Sequence, residues 1–304
     1  MTVWRDDVAQ VDAILGALTL APHAVSLGAR TLATVPATRE AVLARLLYEE
    51  CFIKGLDERE PPREDAAGDA AFVAALSARN AGTGRISCGW HVAGVERSGH
   101  LIVVKDGRRH RVAPELVRRS GENVEIRAPN EDAASSSDFY YAYGDALPLG
   151  ETPVPRTRYY VNVASEGAVE LVGALTRRLN DERVPFSLKC FRDPHDYYRR
   201  DGVVVYADSA WDSASAIIVA AGADQVGPFV RTATPILTHR IARGVAHAPE
   251  PDGESYGERC CRILARAILT AGARSAELVV DAAERLDRNG ARAGRTVAEA
   301  LRTP

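Results

Sequence analysis

Lysine is almost missing from this 304-residue chain: of its 38 basic residues, three are lysine and 35 arginine. Arginine stays charged in proteins, whereas lysine gives up its proton when its surroundings press it to. Nearly all the positive charge is therefore permanent, and Lys189 stands out in the apolar run Pro185-Phe-Ser-Leu-Lys-Cys-Phe191. A lysine at that place either snorkels to water along its methylene stem or is held near arginines as a candidate base.

Other shortages bear on whole classes. Five cysteines (51, 88, 190, 260 and 261) are an odd number without CxxC spacing, which argues against a disulfide framework and against a zinc site. The seven histidines form no HExxH or HxxxH pair, so neither a metal nor another cofactor is expected. Excess charge of one sign is lacking: a net charge of −3 gives no footprint for nucleic acid and no basic patch for a membrane surface. No apolar run approaches the ~20 residues of a spanning helix. Two early aspartates, Asp6 and Asp7, stand where a secretory signal carries positive charge. The expectation is a cytoplasmic protein. Walker, kinase-loop and GxSxG patterns are absent, and Gly82-Thr-Gly84 has neither the third glycine nor the following helix of a nucleotide fingerprint.

What is present reads as α+β. Helical spacing dominates residues 1–80, with Val8, Val11, Ile14, Leu15 and Leu18 in one stripe and Val42, Leu43, Leu46, Leu47 and Cys51 in another. A small antiparallel β-rich unit is expected over 81–150, with an Asp-Gly hairpin turn at Lys105–Arg108. A polar loop over 58–68 and a proline-bearing linker over 146–155 separate the parts, although the whole can pack as one unit. Residues 151–304 read as an α+β catalytic domain, a mixed sheet flanked by helices. Its strands are expected at 156–163, 186–191, 203–206 and 236–241, with a helix opening at the capping pattern Ser209-Ala-Trp-Asp212.

Successive side chains on a strand face opposite ways. Tyr159, Val161 and Val163 thus share one face, leaving Arg158, Tyr160 and Asn162 on the other, while Ser187 shares a face with Lys189. Arg240 alternates with His239, and Arg262 lies in a stripe with Arg259 and Arg266. If these strands share one sheet, Arg158, Tyr160, Asn162, Lys189 and Arg240 converge, or else they form the solvated side of a half-covered sheet. A convergent face offers planar forks for oxyanions and a lysine whose charge is opposed by like charges. The segment Asp193–Asp201 is dense in polar groups, and Arg199, Arg200 and Asp201 also read as a structural ion-pair knot.

Several stretches carry a resemblance: Leu76–Gly84 with Gly89-Trp90, Phe139–Asp145, Arg158-Tyr-Tyr-Val-Asn162, Pro185–Lys189, Asp193-Pro with Arg200-Asp201, and Asp252–Gly257 with Arg262. In order and spacing they resemble bacterial type III effectors of the Hop-A class, over about residues 45 to 270. They are more similar still to that family's relatives in peptide natural-product clusters, the lyase component of class V lanthipeptide and thioamide-peptide synthetases. The resemblance implies a phosphoserine/phosphothreonine lyase that eliminates phosphate from a precursor peptide after a separate kinase has phosphorylated it. Its lysine base and arginine-held phosphate agree with the convergent face, giving Lys189 as base, Arg158, Arg240, Arg262 and Arg200 on phosphate, and Asn162 with Ser187 on substrate. Related phosphothreonine lyases carry a histidine acid in a Lys-x-His pattern; here Cys190 and Phe191 follow the lysine. Tyr160 is the first candidate acid, with His195 and His239 behind it. The alternative is a peptide-binding or kinase-partner subunit without catalysis.

Overall fold

The computed structural model describes residues 8–56, 58–61, 69–105, 107–120, 123–146, 156–250, 254–272 and 275–287. It opens on α1 (Val8–Ala17), whose Val11 and Ile14 are three apart and buried together. Sequence spacing predicts helices alone up to residue 80, and the structure corrects this with a three-stranded antiparallel meander. Its strands are β1 (Leu18–Ala21), β2 (Ala24–Leu27) and β3 (Arg30–Ala33). Two short turns, Pro22-His23 and Gly28-Ala29, break the helical pattern, and Gly28 adopts φ 57°, which costs an L side chain far more than glycine. The expected N-terminal helices continue as α2 (Arg39–Leu47), which runs on into a π turn over Tyr48–Phe52, and α3 (Asp69–Arg79).

The expected small β unit is a five-stranded antiparallel sheet in the order β6-β5-β4-β8-β7. It comprises β4 (Arg85–Val95), β5 (Leu101–Lys105), β6 (Arg108–Val112), β7 (Val117–Ser120) and β8 (Asn123–Ala128). Lys105 and Arg108 face each other at the β5–β6 hairpin, and Val103, Val112 and Val124 form a small core of their own.

The remaining strands make one larger sheet. In chain order come β9 (Glu131–Asp132), β10 (Phe139–Tyr143), β11 (Arg156–Val161), helix α4 (Ser165–Asp181), β12 (Phe186–Phe191) and β13 (Val203–Asp208). Helix α5 (Asp212–Gln225), β14 (His239–Ala242), β15 (Val245–Pro249), α6 (Tyr256–Ala271) and a last helix α7 over 276–287 follow. The strands lie in the order β14-β15-β11-β13-β12-β10-β9, and each ladder is antiparallel, so the partly parallel sheet left open by the sequence does not form. β11-α4-β12 is a split crossover, with β13 returning between its two strands. β9 and β10 precede residue 150 yet belong to this sheet, so the boundary expected there does not divide the two β structures. Residues 147–155 of the expected linker and 62–68 of the expected polar loop lie outside the described residues.

Both faces of the sheet's centre are covered. Tyr159, Val161, Leu188 and Val205 point into a core shared with α4 and α5. Tyr160, Val204 and Ala248 point the other way, into a core shared with α2, the π turn, α6 and α7. Two expected details change. The strand expected over 236–241 begins only at His239, because Leu237 takes φ 60° and interrupts the extended run. The capping pattern at Ser209 opens a 3-10 turn capped instead by Asp208, whose carboxylate accepts the Ala210 N–H, and α5 starts at Asp212.

Candidate functional site

Register sets which side chains meet around Lys189. On its face of the sheet, Tyr141, Lys189, Val204, Tyr160, Ala246 and Arg240 form one row across β10, β12, β13, β11, β15 and β14. The adjoining row, two residues along each strand, holds Tyr143, Ser187, Tyr206, Arg158 and Ala248. Neighbouring strands are ~4.8 Å apart, so Tyr160 starts about 10 Å from Lys189 and long side chains can close that gap. Arg240 starts about 19 Å away and cannot.

The three lysines have different surroundings. Lys54 pairs with Glu50 at 3.0 Å, and Lys105 donates to the Cys88 carbonyl at 2.8 Å. Lys189 makes no ion pair among the described residues, and its amine lies 4.0 Å from the centre of the Phe139 ring. Its pKa is lowered, chiefly by burial; Arg199 and Arg158 push the same way, against Asp201 and Glu258. The cationic surroundings expected to deprive this amine of its proton are therefore secondary to desolvation.

Arg158 is almost buried, 5.2 Å from the Tyr206 ring centre, hydrogen-bonded with Tyr160 and a long 3.5 Å from Glu250. Among the described residues its Nε has no hydrogen-bond partner. Tyr160 packs edge-on against Phe52 with its hydroxyl beside Arg158, and burial holds its pKa above the usual phenol value, so it stays protonated at neutral pH. Tyr206 is likewise protonated, pushed up to about 12 by burial while Arg158 pulls it down. Below this row, Arg199 forks onto Asp201 with two 2.9 Å bonds and lies 3.5 Å from the Tyr48 hydroxyl. Arg199 and Asp201 are thus an ion pair, as one sequence reading had it, and one that faces Lys189 electrostatically.

The other expected members are occupied elsewhere. Arg262 is half exposed on α6 and pairs with Glu254 at 2.7 Å. Arg200 forks onto Glu58 at 2.8 and 3.2 Å. It lines a cleft of about 550 Å³ with Arg240, whose Nε donates to the Ala242 carbonyl. Asn162 donates to the Ala233 carbonyl at 2.9 Å, which pins the loop before β14 rather than a substrate. His239 lies 5.4 Å from His247, which stacks on Tyr159, so it belongs to the opposite face from Lys189. His195 bonds the Pro61 carbonyl at 2.9 Å.

Lys189, Tyr160, Arg158 and Ser187 are therefore the expected residues that share a face at short range. Sequence reasoning did not place Tyr141, Phe139 and Tyr206 beside the lysine, although Phe139–Asp145 is one of the stretches that carry the resemblance. Alternation alone puts each on a definite side of its own strand, but only the pairing of β10 and β13 with β12 brings them to the lysine. Among the described residues, no group of three or more His, Cys, Asp or Glu side chains is placed to hold a metal ion. No described helix is long and apolar enough to cross a membrane.

The model of the HopA1 effector protein family matches residues 130–295, more than half of the chain. The chain belongs to that family. The match takes in the whole seven-stranded sheet and leaves out the five-stranded one. Among solved structures, the chain is similar to the effector protein from Pseudomonas syringae pv. syringae strain 61. Identity is 14%, covering 73% of this chain and 78% of that one, with a TM-score of 0.43. It is also similar to the effector protein from Pseudomonas syringae pv. tomato strain DC3000, at 13% identity over 87% and 85% of the chains, with a TM-score of 0.45. No curated protein matches the chain.

Proposed function

We propose that this HopA1-family chain is a phosphoserine/phosphothreonine lyase acting on a ribosomal precursor peptide that a separate kinase has phosphorylated. The observation that carries the reading is Lys189: a half-buried amine with lowered pKa and, among the described residues, no ion pair, on one sheet face with Arg158, Tyr160 and Tyr206. An amine of ordinary pKa, ~10.4, is neutral in about one molecule in 2,500 at pH 7, so lowering that pKa is what makes a lysine usable as a base. The sequence resemblance to the lyase component of lanthipeptide synthetases supports the choice of substrate.

In the proposed reaction the neutral Lys189 amine takes the α-proton of the phosphorylated residue. The electron pair of that C–H bond becomes the Cα=Cβ double bond, the Cβ–O bond breaks, and phosphate leaves with its electrons. Dehydroalanine or dehydrobutyrine remains in the peptide. Arg158 offers fixed positive charge to the enolate and the departing dianion as negative charge develops. Tyr160, protonated and beside Arg158, can donate to the leaving oxygen, although its raised pKa makes it a weak acid. No step needs a metal or an organic cofactor.

Mass spectrometry of a phosphoserine peptide incubated with the purified chain, without kinase or ATP, tests the proposal. Loss of the mass of phosphoric acid is expected from the wild type and not from Lys189→Ala, which still binds the phosphopeptide. Unchanged phosphopeptide with the wild type would instead favour a peptide-binding subunit. The partly exposed aromatic row Phe139, Tyr141 and Tyr143 suits that second role.

A further inference from the structure

The arginines first expected to take phosphate are largely engaged: Arg200 with Glu58, Arg262 with Glu254, and Arg240 too far away. Two others are not. Arg85, at the start of β4, and Arg156, at the start of β11, line one cavity of about 160 Å³ with Tyr143, Ser187, Tyr206 and Asp208. Among the described residues neither arginine makes an ion pair. The Arg85 guanidinium lies 5.9 Å from the Tyr143 ring centre, and its Nε is buried without a hydrogen-bond partner. Burial depresses the Arg85 pKa, and Arg156 adds like-charge repulsion, while Tyr143 and Asp145 counter it. The two guanidinium groups outnumber the one carboxylate that lines the hollow, Asp208, and leave an excess positive charge that an anion would satisfy.

The cavity has a polar inventory of its own. Ser187 and Tyr206 supply hydroxyl groups. Asp208 spends one carboxylate oxygen on the Ala210 N–H, and its other oxygen is buried with no hydrogen-bond partner among the described residues. The three charged side chains sum to one net positive charge. The free Asp208 oxygen can accept an N–H or O–H that arrives with the anion. A water molecule occupies ~30 Å³ of liquid, so the space has room for a tetrahedral oxyanion and not for a nucleotide.

Its position relative to the amine is specific. Tyr143, Ser187 and Tyr206 form the row next to that of Lys189, and Ser187 precedes Lys189 by two residues on the same side of β12. Two residues of strand span about 6.7 Å. An anion above Ser187 therefore lies one side-chain repeat from the Lys189 backbone, whose amine reaches over Phe139 in the next row.

We propose that the hollow between Arg85 and Arg156 is the phosphate-binding site, taking the phosphate monoester of a phosphoserine or phosphothreonine side chain whose Cα faces Lys189. This rests on the lyase reading for the role of Lys189, and not for the anion site itself. Arg156 comes from the family-matched region, whereas Arg85 comes from the five-stranded sheet outside it. The small sheet thus contributes half of the anion fork.

The test uses the full chain carrying Lys189→Ala, so that substrate is held without turnover. A labelled phosphoserine peptide is titrated by fluorescence anisotropy, with inorganic phosphate as competitor and the unphosphorylated peptide as control. Arg85→Gln and Arg156→Gln should each weaken phosphopeptide binding about 10-fold or more, as expected for loss of a charge-assisted hydrogen bond, and together should bring it to the level of the unphosphorylated peptide. Arg85→Lys and Arg156→Lys keep the charge and lose the fork, and should fall between. Arg262→Gln should change nothing. Phosphopeptide affinity equal to the parent's in the folded double variant, judged by its thermal midpoint, overturns the site; so does inorganic phosphate that fails to compete. In the otherwise wild-type chain, elimination that survives Arg85→Gln/Arg156→Gln overturns the site and leaves Lys189 as base. Binding through these arginines without elimination by the wild type sinks the lyase reading and leaves the anion site standing.

Discussion

The two faces of the seven-stranded sheet are built for different work. Against α4 and α5 the strands present Tyr159, Val161, Leu188 and Val205, all essentially buried, in a core that also takes in Tyr140, Ala142 and Cys190. On the other face the apolar core under α2, α6 and α7 gives way, toward β12 and β10, to Arg158, Tyr206, Ser187, Lys189 and Tyr141. Desolvation is what sets the lysine of the second face apart, because burial is the largest influence on its pKa. Enough cover to dry an amine, with an open margin for a peptide, is what one closed face and one partly closed face provide.

Replacing Lys189 by methionine tests the difference most severely. A general base contributes roughly 100- to 10,000-fold, and elimination followed by mass spectrometry should fall by that order while the fold persists. The same variant has a stability signature. With its native pKa below the ordinary 10.5, Lys189 binds fewer protons folded than unfolded in the window between those values. Stability of the wild type therefore rises with pH through that window, and denaturant titrations of Lys189→Met should lose that rise. The wild-type elimination rate should also rise as pH climbs through the lowered pKa, since the neutral amine is the working form. A rate independent of pH there would remove the base assignment.

The closed face should respond in the opposite sense. Leu188→Ala deletes a fully buried side chain next to Lys189 in sequence but on the other side of the sheet. It should cost about 2–5 kcal/mol of stability, read by chemical denaturation, and leave the shape of the pH–rate profile unchanged. A shifted profile would mean that the two faces are mechanically coupled at β12. The smallest effect belongs to Arg262→Gln. That side chain is half exposed and paired with Glu254, so stability should move by no more than about 0.5 kcal/mol and elimination not at all.

Part of this site is legible from sequence because strand alternation is a local property. It separates Arg158 and Tyr160 from Tyr159 and Val161, and Ser187 and Lys189 from Leu188, and the structure keeps those divisions. It fails where the backbone leaves the extended region, as at Leu237, whose positive φ ends the run before β14. The helical reading of residues 1–80 likewise missed β1 to β3, because short strands of four residues carry too few alternations to compete with a helical stripe. Arg240 and Arg262 were grouped with Lys189 on the assumption of adjacency. Strand order puts the first at the far edge of the sheet, and helix rotation turns the second to solvent.

Composition and local pattern determined that this is an α+β chain, that nearly all its positive charge is permanent, and that one lysine lies in an apolar strand. They also determined which side of each strand a residue takes, since alternation follows from backbone geometry at a single residue. Only the tertiary structure decided which arginines reach that lysine. Strand order brings Arg158 into the row beside it and sets a hollow between Arg85 and Arg156 along that same row, joining groups 71 positions apart in the numbering. Pairing between distant strands depends on the loops and helices that connect them, and that information is not carried by any one of those strands.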